Sequence, residues 1–167
     1  MRTDAAARES LGFFRVSIMQ AAMSIADPDT KAGARQAFVV LHVEDDVELA
    51  ASLARLLRAE GLQALTATDG ASALELVARG AVPDVLIMDV NLPGDMDGAD
   101  VAQEICHALG HVVPTIFLSA VLSTVGLPWL PGAPLLFVSK PIDAEVLVKV
   151  VESFAGLGRF MRAHAHH

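Results

Sequence analysis

The sequence predicts one α/β domain with a parallel β-sheet covered by helices on both faces. Three observations predict this fold class. From residue 38 onward, short apolar runs alternate with stretches of helical periodicity. Glycine or proline stands at most of the junctions between them. Every apolar run except the second ends in a polar residue, as expected where ligands bind at the carboxyl ends of parallel strands.

Five apolar runs are predicted strands. They are apolar almost throughout, which is typical of parallel strands that are buried on both faces. An acidic cluster follows the first run, and Pro83 precedes the third. The predicted strands are Phe38–Val43, Gln63–Thr68, Asp84–Asp89, Thr115–Ser119 and Leu135–Ser139.

Four helices are predicted between and after these strands. Gly61, Gly80 and Gly110 follow the first three helices, where glycine commonly ends a helix. Asp143 is a suitable N-cap for the last helix, with Glu145 in its first turn. The predicted helices run from about Val47 to Ala59, Ala71 to Arg79, Ala99 to Leu109, and Asp143 to Phe154 or beyond.

The domain is predicted at residues 37–156, between an N-terminal extension at 1–36 and a C-terminal tail at 157–167. Apolar residues at helical spacing predict one amphipathic helix in the extension. These residues are Leu11, Phe14, Ile18, Ala22 and Ile25. The histidines of the tail, His164, His166 and His167, are expected to belong to a disordered end. Because little chain follows the last helix, we expect a single-domain protein.

Net charge and the number of cysteines exclude several classes of function. The chain carries 12 Lys and Arg against 20 Asp and Glu, a formal net charge of −8. Such a chain repels the phosphate backbone, so direct nucleic-acid binding is not expected. The one cysteine, Cys106, excludes an internal disulfide and a four-cysteine zinc site. A reducing, cytoplasmic location is therefore expected.

Membrane insertion is not expected, although one segment is strongly apolar. From Ile105 to Ser139 the chain has no Asp, Glu, Lys or Arg. Prolines interrupt this segment, and they stop a helix before it reaches the ~20 residues that a membrane span needs. Two buried strands with an apolar connection explain the segment better.

Polar residues at the strand ends predict a site for an ion and an anion. Carboxylates that meet at one edge of the sheet raise one another's pKa values and need a cation. Oxygen ligands without a neighbouring histidine or cysteine suit Mg²⁺, and a lysine and a hydroxyl beside the ion would complement a phosphoryl group. The residues are Glu44, Asp45 and Asp46 after the first strand, Asp89 after the third, Ser119 after the fourth and Lys140 after the fifth.

Five short motifs occur at or near these strand ends in a fixed order. They are Val43–Asp46 (VEDD), Met88–Pro93 (MDVNLP), Met96–Gly98 (MDG), Phe117–Ala120 (FLSA) and Val138–Pro141 (VSKP). In this order they resemble the receiver domain of two-component response regulators. The resemblance covers about Phe38 to Phe154, and it implies a flavodoxin-like fold with strand order 2-1-3-4-5.

The resemblance also implies a role for each matching residue. Asp89 would accept a phosphoryl group from a sensor histidine kinase, a histidine phosphotransfer protein or a small donor. Mg²⁺ would be bound by Asp89 and Asp45, by Glu44 through water, and by the backbone carbonyl of Asn91. Lys140 would pair with Asp89 at rest and with a phosphoryl oxygen afterwards.

Two further residues would carry the response to phosphorylation. Ser119 would hydrogen-bond the phosphoryl group and be drawn inward. Phe137 stands three residues before Lys140, where the family usually keeps an aromatic residue that switches rotamer. Purely structural interpretations remain open as well. Phe137 would then be a core residue, Asp46 a helix cap, and His42 a core or edge histidine.

Two other function classes also remain open. One is a receiver that binds a partner without being phosphorylated. The other is a phosphatase or phosphotransferase of the haloacid-dehalogenase type, which also uses an aspartate nucleophile. Its Asp-x-Asp motif follows the first strand, whereas Asp89 follows the third and residue 91 is Asn91. We expect a phosphoacceptor and not an enzyme that turns over an external substrate.

The uncharged segment between the fourth and fifth strands is predicted to bind another protein or a second copy of the chain. In response regulators the surface that reads out phosphorylation lies here. A contiguous exposed apolar patch usually marks a partner site. Folding of these side chains into the core is the alternative. The candidate surface consists of Val121, Leu122, Val125, Leu127, Trp129 and Leu130.

Overall fold

A computed structural model describes residues 36–120, 130 and 132–165 of the chain, and its centre is a parallel five-stranded sheet. The strands are β1 (Val39–Val43), β2 (Gln63–Ala67), β3 (Val85–Asp89), β4 (Thr115–Ser119) and β5 (Leu135–Ser139). Their order in the sheet is β2-β1-β3-β4-β5, which confirms the predicted order. The strand order reverses between β1 and β3, where folds of this type bind their ligands.

Four helices lie in the described part of the chain, and each begins after an aspartate. They are α1 (Val47–Ala59), α2 (Gly70–Ala78), α3 (Gly98–Leu109) and α4 (Ala144–His164). The capping aspartates are Asp46, Asp69, Asp97 and Asp143. Each side chain accepts from one or two backbone N–H groups of the first turn, which otherwise have no partner in the helix.

The helices cover both faces of the sheet, as predicted. On one face, α1 and α4 bury residues such as Leu57 and Val151 against Val40 and Ile87 of the sheet. On the other face, α2 and α3 bury side chains against the remaining residues of the same strands, including Leu41, Leu86 and Phe117. The alternation of side chains along each strand therefore supplies two separate cores.

Helix α4 continues well past Phe154, the residue to which the sequence predicts it at least. Residues 157–164, expected as part of a tail, are helical, and His164 is the last residue of α4. The added turns are stabilised by tertiary contacts: Arg159 and Arg162 both donate to Asp84, at 2.7 and 2.6 Å. The sequence left the end of this helix open beyond Phe154, because helical periodicity does not show contacts with a residue so far away in the chain.

Asp84 is the centre of this cluster at the amino end of β3. Its carboxylate is 1% exposed and also accepts a hydrogen bond from Val39 N–H at 2.9 Å. Arg159 in turn donates to the carbonyl of Ala37, and its guanidinium lies 4.3 Å from the ring centre of Phe38. One buried carboxylate thus joins the start of β1, the start of β3 and the end of α4.

Two predictions lie outside the described residues. One is the amphipathic helix of the N-terminal extension. The other concerns the segment at residues 121–129. Within the described ranges, none of the helices is long and apolar enough to cross a membrane.

Candidate functional site

Three carboxylates meet at the carboxyl edge of the sheet. Glu44 and Asp45 follow β1, and Asp89 ends β3, the next strand in the sheet. A carboxylate oxygen from each of the three lies within 4.8 Å of the others. Neighbouring parallel strands in register explain this meeting, since Val43 pairs with Met88. The structure therefore brings together the three carboxylates that were predicted as metal ligands.

Lys140 lies between two of these carboxylates. Its ammonium donates to Asp89 Oδ2 and to Glu44 Oε2, both at 2.7 Å. The backbone N–H of Lys140 donates to the carbonyl of Ser119 at 2.8 Å. This hydrogen bond holds the first residue after β5 against the end of β4. The pairing with Asp89 was predicted, whereas the contact with Glu44 was not.

Glu44 and Asp45 differ in their surroundings. Glu44 is 2% exposed, while Asp45 is exposed. Burial raises the pKa of Glu44, and the hydrogen bond from Lys140 opposes this effect. Partial burial lowers the pKa of Lys140, but its hydrogen bonds to Asp89 and Glu44 outweigh this, so the pKa lies above its usual value. Lys140 is therefore charged at neutral pH.

His42 lies inside β1, on the side of the sheet that also carries Val40. It is buried, as the sequence predicted, and its ring nitrogens have no hydrogen-bond partner in the described residues. Burial lowers the pKa of His42 to about 4, and the positive charge of Lys140 adds to this effect. The imidazole is thus neutral at pH 7, and it adds no charge near Asp89 and Lys140.

The carboxylate and backbone of Asp89 are held by close contacts. Its Oδ1 accepts a hydrogen bond from the backbone N–H of Asn91 at 2.8 Å. Gly98, the first residue of α3, packs directly on the backbone of Asp89. A Cβ atom at residue 98 would lie 2.1 Å from the Asp89 carbonyl oxygen. Only glycine lets α3 approach the acidic residue so closely.

Gly98→Ala is expected to destabilise the protein by about 1–3 kcal/mol, because the added methyl group would push against a backbone atom that cannot move freely. Urea denaturation measures the loss. Gly156→Ala is the control, since its Cβ would meet only Phe38 at an ordinary 3.9 Å. Alanine is also the better helix former at residue 156. An equal or greater loss for Gly156→Ala would contradict the close-approach explanation.

Ser119 and Phe137 lie on the neighbouring strands β4 and β5. Ser119 is buried at the end of β4 and pairs in register with Ser139 of β5. The ring of Phe137 stacks on Phe117, with centroids 5.2 Å apart and an interplanar angle of 13°. Phe137 therefore packs against the core, and its role as a switch stays a prediction.

The predicted partner surface is wrong at Leu130. This residue is 5% exposed and packs among side chains of β4 and α3, such as Phe117 and Ile105. An uncharged leucine gains more from burial than from exposure, so the alternative of folding into the core holds here. The other members of the predicted surface lie outside the described residues. They are Val121, Leu122, Val125, Leu127 and Trp129.

The donor set at the edge fits a hard divalent cation. Glu44, Asp45 and Asp89 offer carboxylate oxygens, the ligands that Mg²⁺ prefers. The exposed Asp45 leaves room for the waters that Mg²⁺ retains in most proteins. An anion beside the ion would meet the ammonium of Lys140, which is already directed at Asp89. The carboxylates can therefore hold a cation, and a phosphoryl group could lie beside that cation and the ammonium of Lys140.

Comparison with known proteins identifies the family of the domain. A family model for the response regulator receiver domain matches residues 40–152. The uncharacterized transcriptional regulatory protein YbdJ of Bacillus subtilis is 42% identical over 81 residues, covering 48% of this chain and 34% of YbdJ. The sensory transduction protein RegX3 of Mycobacterium tuberculosis is 39% identical over 113 residues, covering 65% of this chain and 47% of RegX3. The chain spans about a third to a half of these relatives.

Solved structures show the same fold. The chemotaxis protein CheY4 of Vibrio cholerae aligns with a TM-score of 0.60 and 26% identity, over 71% of this chain and 99% of CheY4. The N-terminal domain of a three-domain response regulator/sensory box/GGDEF protein from Carboxydothermus hydrogenoformans aligns with a TM-score of 0.63 and 28% identity. That alignment covers 77% of this chain and 99% of the other. The flavodoxin-like topology is confirmed.

Proposed function

The chain belongs to the response regulator receiver family of two-component signalling, and we propose that Asp89 is the residue that accepts its phosphoryl group. One observation carries the proposal. Asp89 ends the central strand β3, in a group of three carboxylates, and its Oδ2 is 2.7 Å from the ammonium of Lys140. A nucleophilic carboxylate with a cation beside it is the arrangement that phosphoryl transfer to an acid requires.

The transfer is a single displacement at phosphorus. A carboxylate oxygen of Asp89 forms the new bond to phosphorus, and the bond from phosphorus to the donor breaks. In a phosphohistidine donor the bonding electrons return to the imidazole nitrogen. The product is an aspartyl phosphate, and Lys140 then faces the added negative charge. The protein acts here as an acceptor that takes up one phosphoryl group, and not as an enzyme with an external substrate.

Mg²⁺ completes the proposed site. When bound, it would neutralise negative charge on the phosphoryl oxygens. Asp45, Asp89 and Glu44 would hold it, with the backbone carbonyl of Asn91 as a further ligand. The exposed position of Asp45 supports its assignment as a direct ligand, whereas the ion pair of Glu44 with Lys140 favours contact through water.

Asp45→Ala is expected to weaken Mg²⁺ binding by at least about tenfold, because one of few protein carboxylates is lost. Calorimetric titration with MgCl₂ measures the change. Asp46→Ala is the matched control. Asp46 is an adjacent exposed carboxylate, but it caps α1 by accepting from the N–H groups of Glu48 and Leu49. Its loss should cost about 1 kcal/mol of stability and leave Mg²⁺ affinity unchanged. The metal assignment would be lost if the two variants bound Mg²⁺ equally well.

Lys140→Ala is expected to accept a phosphoryl group but to respond poorly to it. The ammonium connects the charge at Asp89 with the end of β5, so its removal leaves the new charge without a partner there. Hydrogen exchange of residues 135–148, with and without phosphorylation, measures the response. Lys149→Ala removes an exposed lysine of α4 as a control. A normal response in Lys140→Ala would make Lys140 a purely structural residue.

The proposed phosphodonor is a histidine kinase or a histidine phosphotransfer protein. Exposed apolar side chains lie at the amino ends of α1 and α4. These two helices follow β1 and β5, and Asp45 and Lys140 lie in the connections that lead to them. Val47 is 64% exposed, and Val146 is also largely exposed. Both helices cover the same face of the sheet. Apolar side chains beside the acceptor suit docking of a protein donor. A cytoplasmic location stays a prediction.

The experiment that tests the function is intact mass spectrometry after incubation with acetyl phosphate and Mg²⁺. We expect a gain of about 80 Da, the mass of one phosphoryl group, and no gain when EDTA is present. Continuous release of inorganic phosphate from a stable phosphate ester would instead favour the phosphatase class. Absence of any mass gain, with acetyl phosphate and with a phosphorylated histidine phosphotransfer protein, would favour a receiver that binds partners without phosphorylation.

A further inference from the structure

Two histidines and a glutamate border one cavity at the carboxyl end of α3. The cavity has a volume of about 590 Å³ and also contacts Ala133, which precedes β5. Glu104 and His107 belong to the second half of α3, and His111 follows directly after the helix. Helix α3 begins beside Asp89 and runs back towards the start of β4. The cavity therefore lies away from the acidic site, towards the opposite edge of the sheet.

The ring of His111 is fixed in a defined orientation. Its Nδ1 lies 3.1 Å from the carbonyl oxygen of Leu109. A carbonyl oxygen can only accept a hydrogen bond, so Nδ1 carries the ring proton and Nε2 carries a lone pair. This Nε2 is buried and has no hydrogen-bond partner among the described residues. Because a buried acceptor without a partner destabilises a fold, we expect a partner that these residues do not supply.

The same arrangement is typical of a histidine that binds a metal ion. Such a histidine donates one ring N–H to a backbone carbonyl or a carboxylate, which directs the other nitrogen at the metal. A buried water could also satisfy Nε2, but a water would not explain the neighbouring side chains. His107 and Glu104 add an imidazole and a carboxylate to the same cavity. Their spacing, Glu-x-x-His-x-x-x-His, includes a pair of histidines four residues apart, as found in many zinc sites.

The charges around the cavity favour a cation. The carboxyl end of a helix is the negative end of its dipole, and α3 ends here with Gly110 N–H donating to the carbonyl of His107. The chain has no Lys or Arg from Gly80 to Ser139. In the part of the chain that the structure describes, no ion pair neutralises Glu104. An anion would find no charged partner at this cavity, whereas a metal ion would find several.

Cys106 also lines the cavity, but it does not belong to the ligand set. Its Sγ accepts a hydrogen bond from the backbone N–H of Val113 at 3.3 Å. Burial raises the pKa of the thiol, so the thiol stays protonated at neutral pH. Only the thiolate is a good metal ligand.

We propose that His111, His107 and Glu104 bind a transition-metal ion of the Zn²⁺ class. Imidazole ligands suit Zn²⁺ and its neighbours, whereas Mg²⁺ prefers oxygen ligands alone, so this site and the acidic site take different ions. His107 and Glu104 are exposed, and binding would turn them towards the fixed Nε2 of His111. Among the described residues, three ligand atoms already lie within 4.8 Å of one another only in the acidic cluster. We therefore expect a weaker affinity than that of a preassembled structural zinc site.

Calorimetric titration of the full chain with ZnCl₂, in excess MgCl₂, tests the proposal. His111→Gln and His107→Gln should each raise the dissociation constant at least about tenfold, because each removes one of two imidazole ligands. The control replaces the histidines near the carboxyl end, His164, His166 and His167, with glutamine. This control should keep the affinity of the wild type. Equal affinity of His111→Gln and wild type, or loss of binding in the control, overturns the proposal.

Nuclear magnetic resonance of the imidazole nitrogens tests the ligand directly in the wild-type chain, so the result does not depend on how a variant folds. The ¹⁵N resonance of His111 Nε2 should shift when ZnCl₂ is added, because the lone pair then binds the metal. The resonances of His42, which is buried in β1, should stay unchanged. An unchanged His111 Nε2 resonance at saturating ZnCl₂ would mean that only a water satisfies this nitrogen, and the zinc site would be disproved.

Discussion

Asp89→Asn is expected to abolish uptake of a phosphoryl group, with the rate reduced by at least about 10³-fold. An amide oxygen is a poor nucleophile, and the amide cannot form the aspartyl phosphate. The substitution keeps the size of the side chain, so the hydrogen bond from Asn91 N–H and the packing of Gly98 can persist. Intact mass after incubation with acetyl phosphate and Mg²⁺ should show no gain of about 80 Da.

A matched variant separates the acceptor from its acidic surroundings. Asp46→Asn removes a carboxylate at the same edge of the sheet and keeps a good N-cap for α1. It should take up one phosphoryl group as the wild type does. If Asp89→Asn were phosphorylated as fully as Asp46→Asn, another residue would be the acceptor, and the proposed function of Asp89 would have to be abandoned.

Asp84→Ala is expected to lower the free energy of unfolding by about 3–5 kcal/mol. The carboxylate is almost completely buried and binds Arg159, Arg162 and the N–H group of Val39. Its removal leaves two guanidinium groups without a charged partner and one backbone donor without its acceptor. The distal turns of α4 should also lose protection from hydrogen exchange. Urea denaturation measures the stability, and exchange measured by mass spectrometry follows α4.

An exposed ion pair of the same chain is the control. Glu75 of α2 and Arg79, which directly follows this helix, lie one turn apart, and both side chains are more than half exposed. Glu75→Ala should cost less than about 1 kcal/mol, because water solvates both charges in either case. A similar small loss in both variants would mean that Asp84 contributes no more than a surface charge, and that the length of α4 has another cause.

The elements of the fold were predicted closely from local sequence patterns. The bounds of α1, β4 and β5 agree with the structure, and β1, β2 and β3 differ by one residue at one end. Such features depend on neighbours in the chain. The spacing of apolar residues, an aspartate before a helix and a glycine after it each act over a few residues, so the sequence shows them directly.

The acidic site was predicted less completely. Its members could be named because polar residues follow apolar strands, and the strand order came from the family resemblance. The contact of Lys140 with Glu44 joins residues that are 96 positions apart. No local pattern marks such a pair, since it depends on how β3 and β4 place the ends of β1 and β5.

By itself, the sequence determined the fold class, the cap of the last helix at Asp143 and the set of polar residues at the carboxyl edge. Only the tertiary structure decided which side chains contact one another and which are buried. It paired Asp84 with Arg159, buried Leu130 and extended α4 to His164. The physical reason is the range of the interactions. Periodicity and capping are local in the chain, whereas burial and ion pairing depend on distances in space that the packing of the sheet and helices sets.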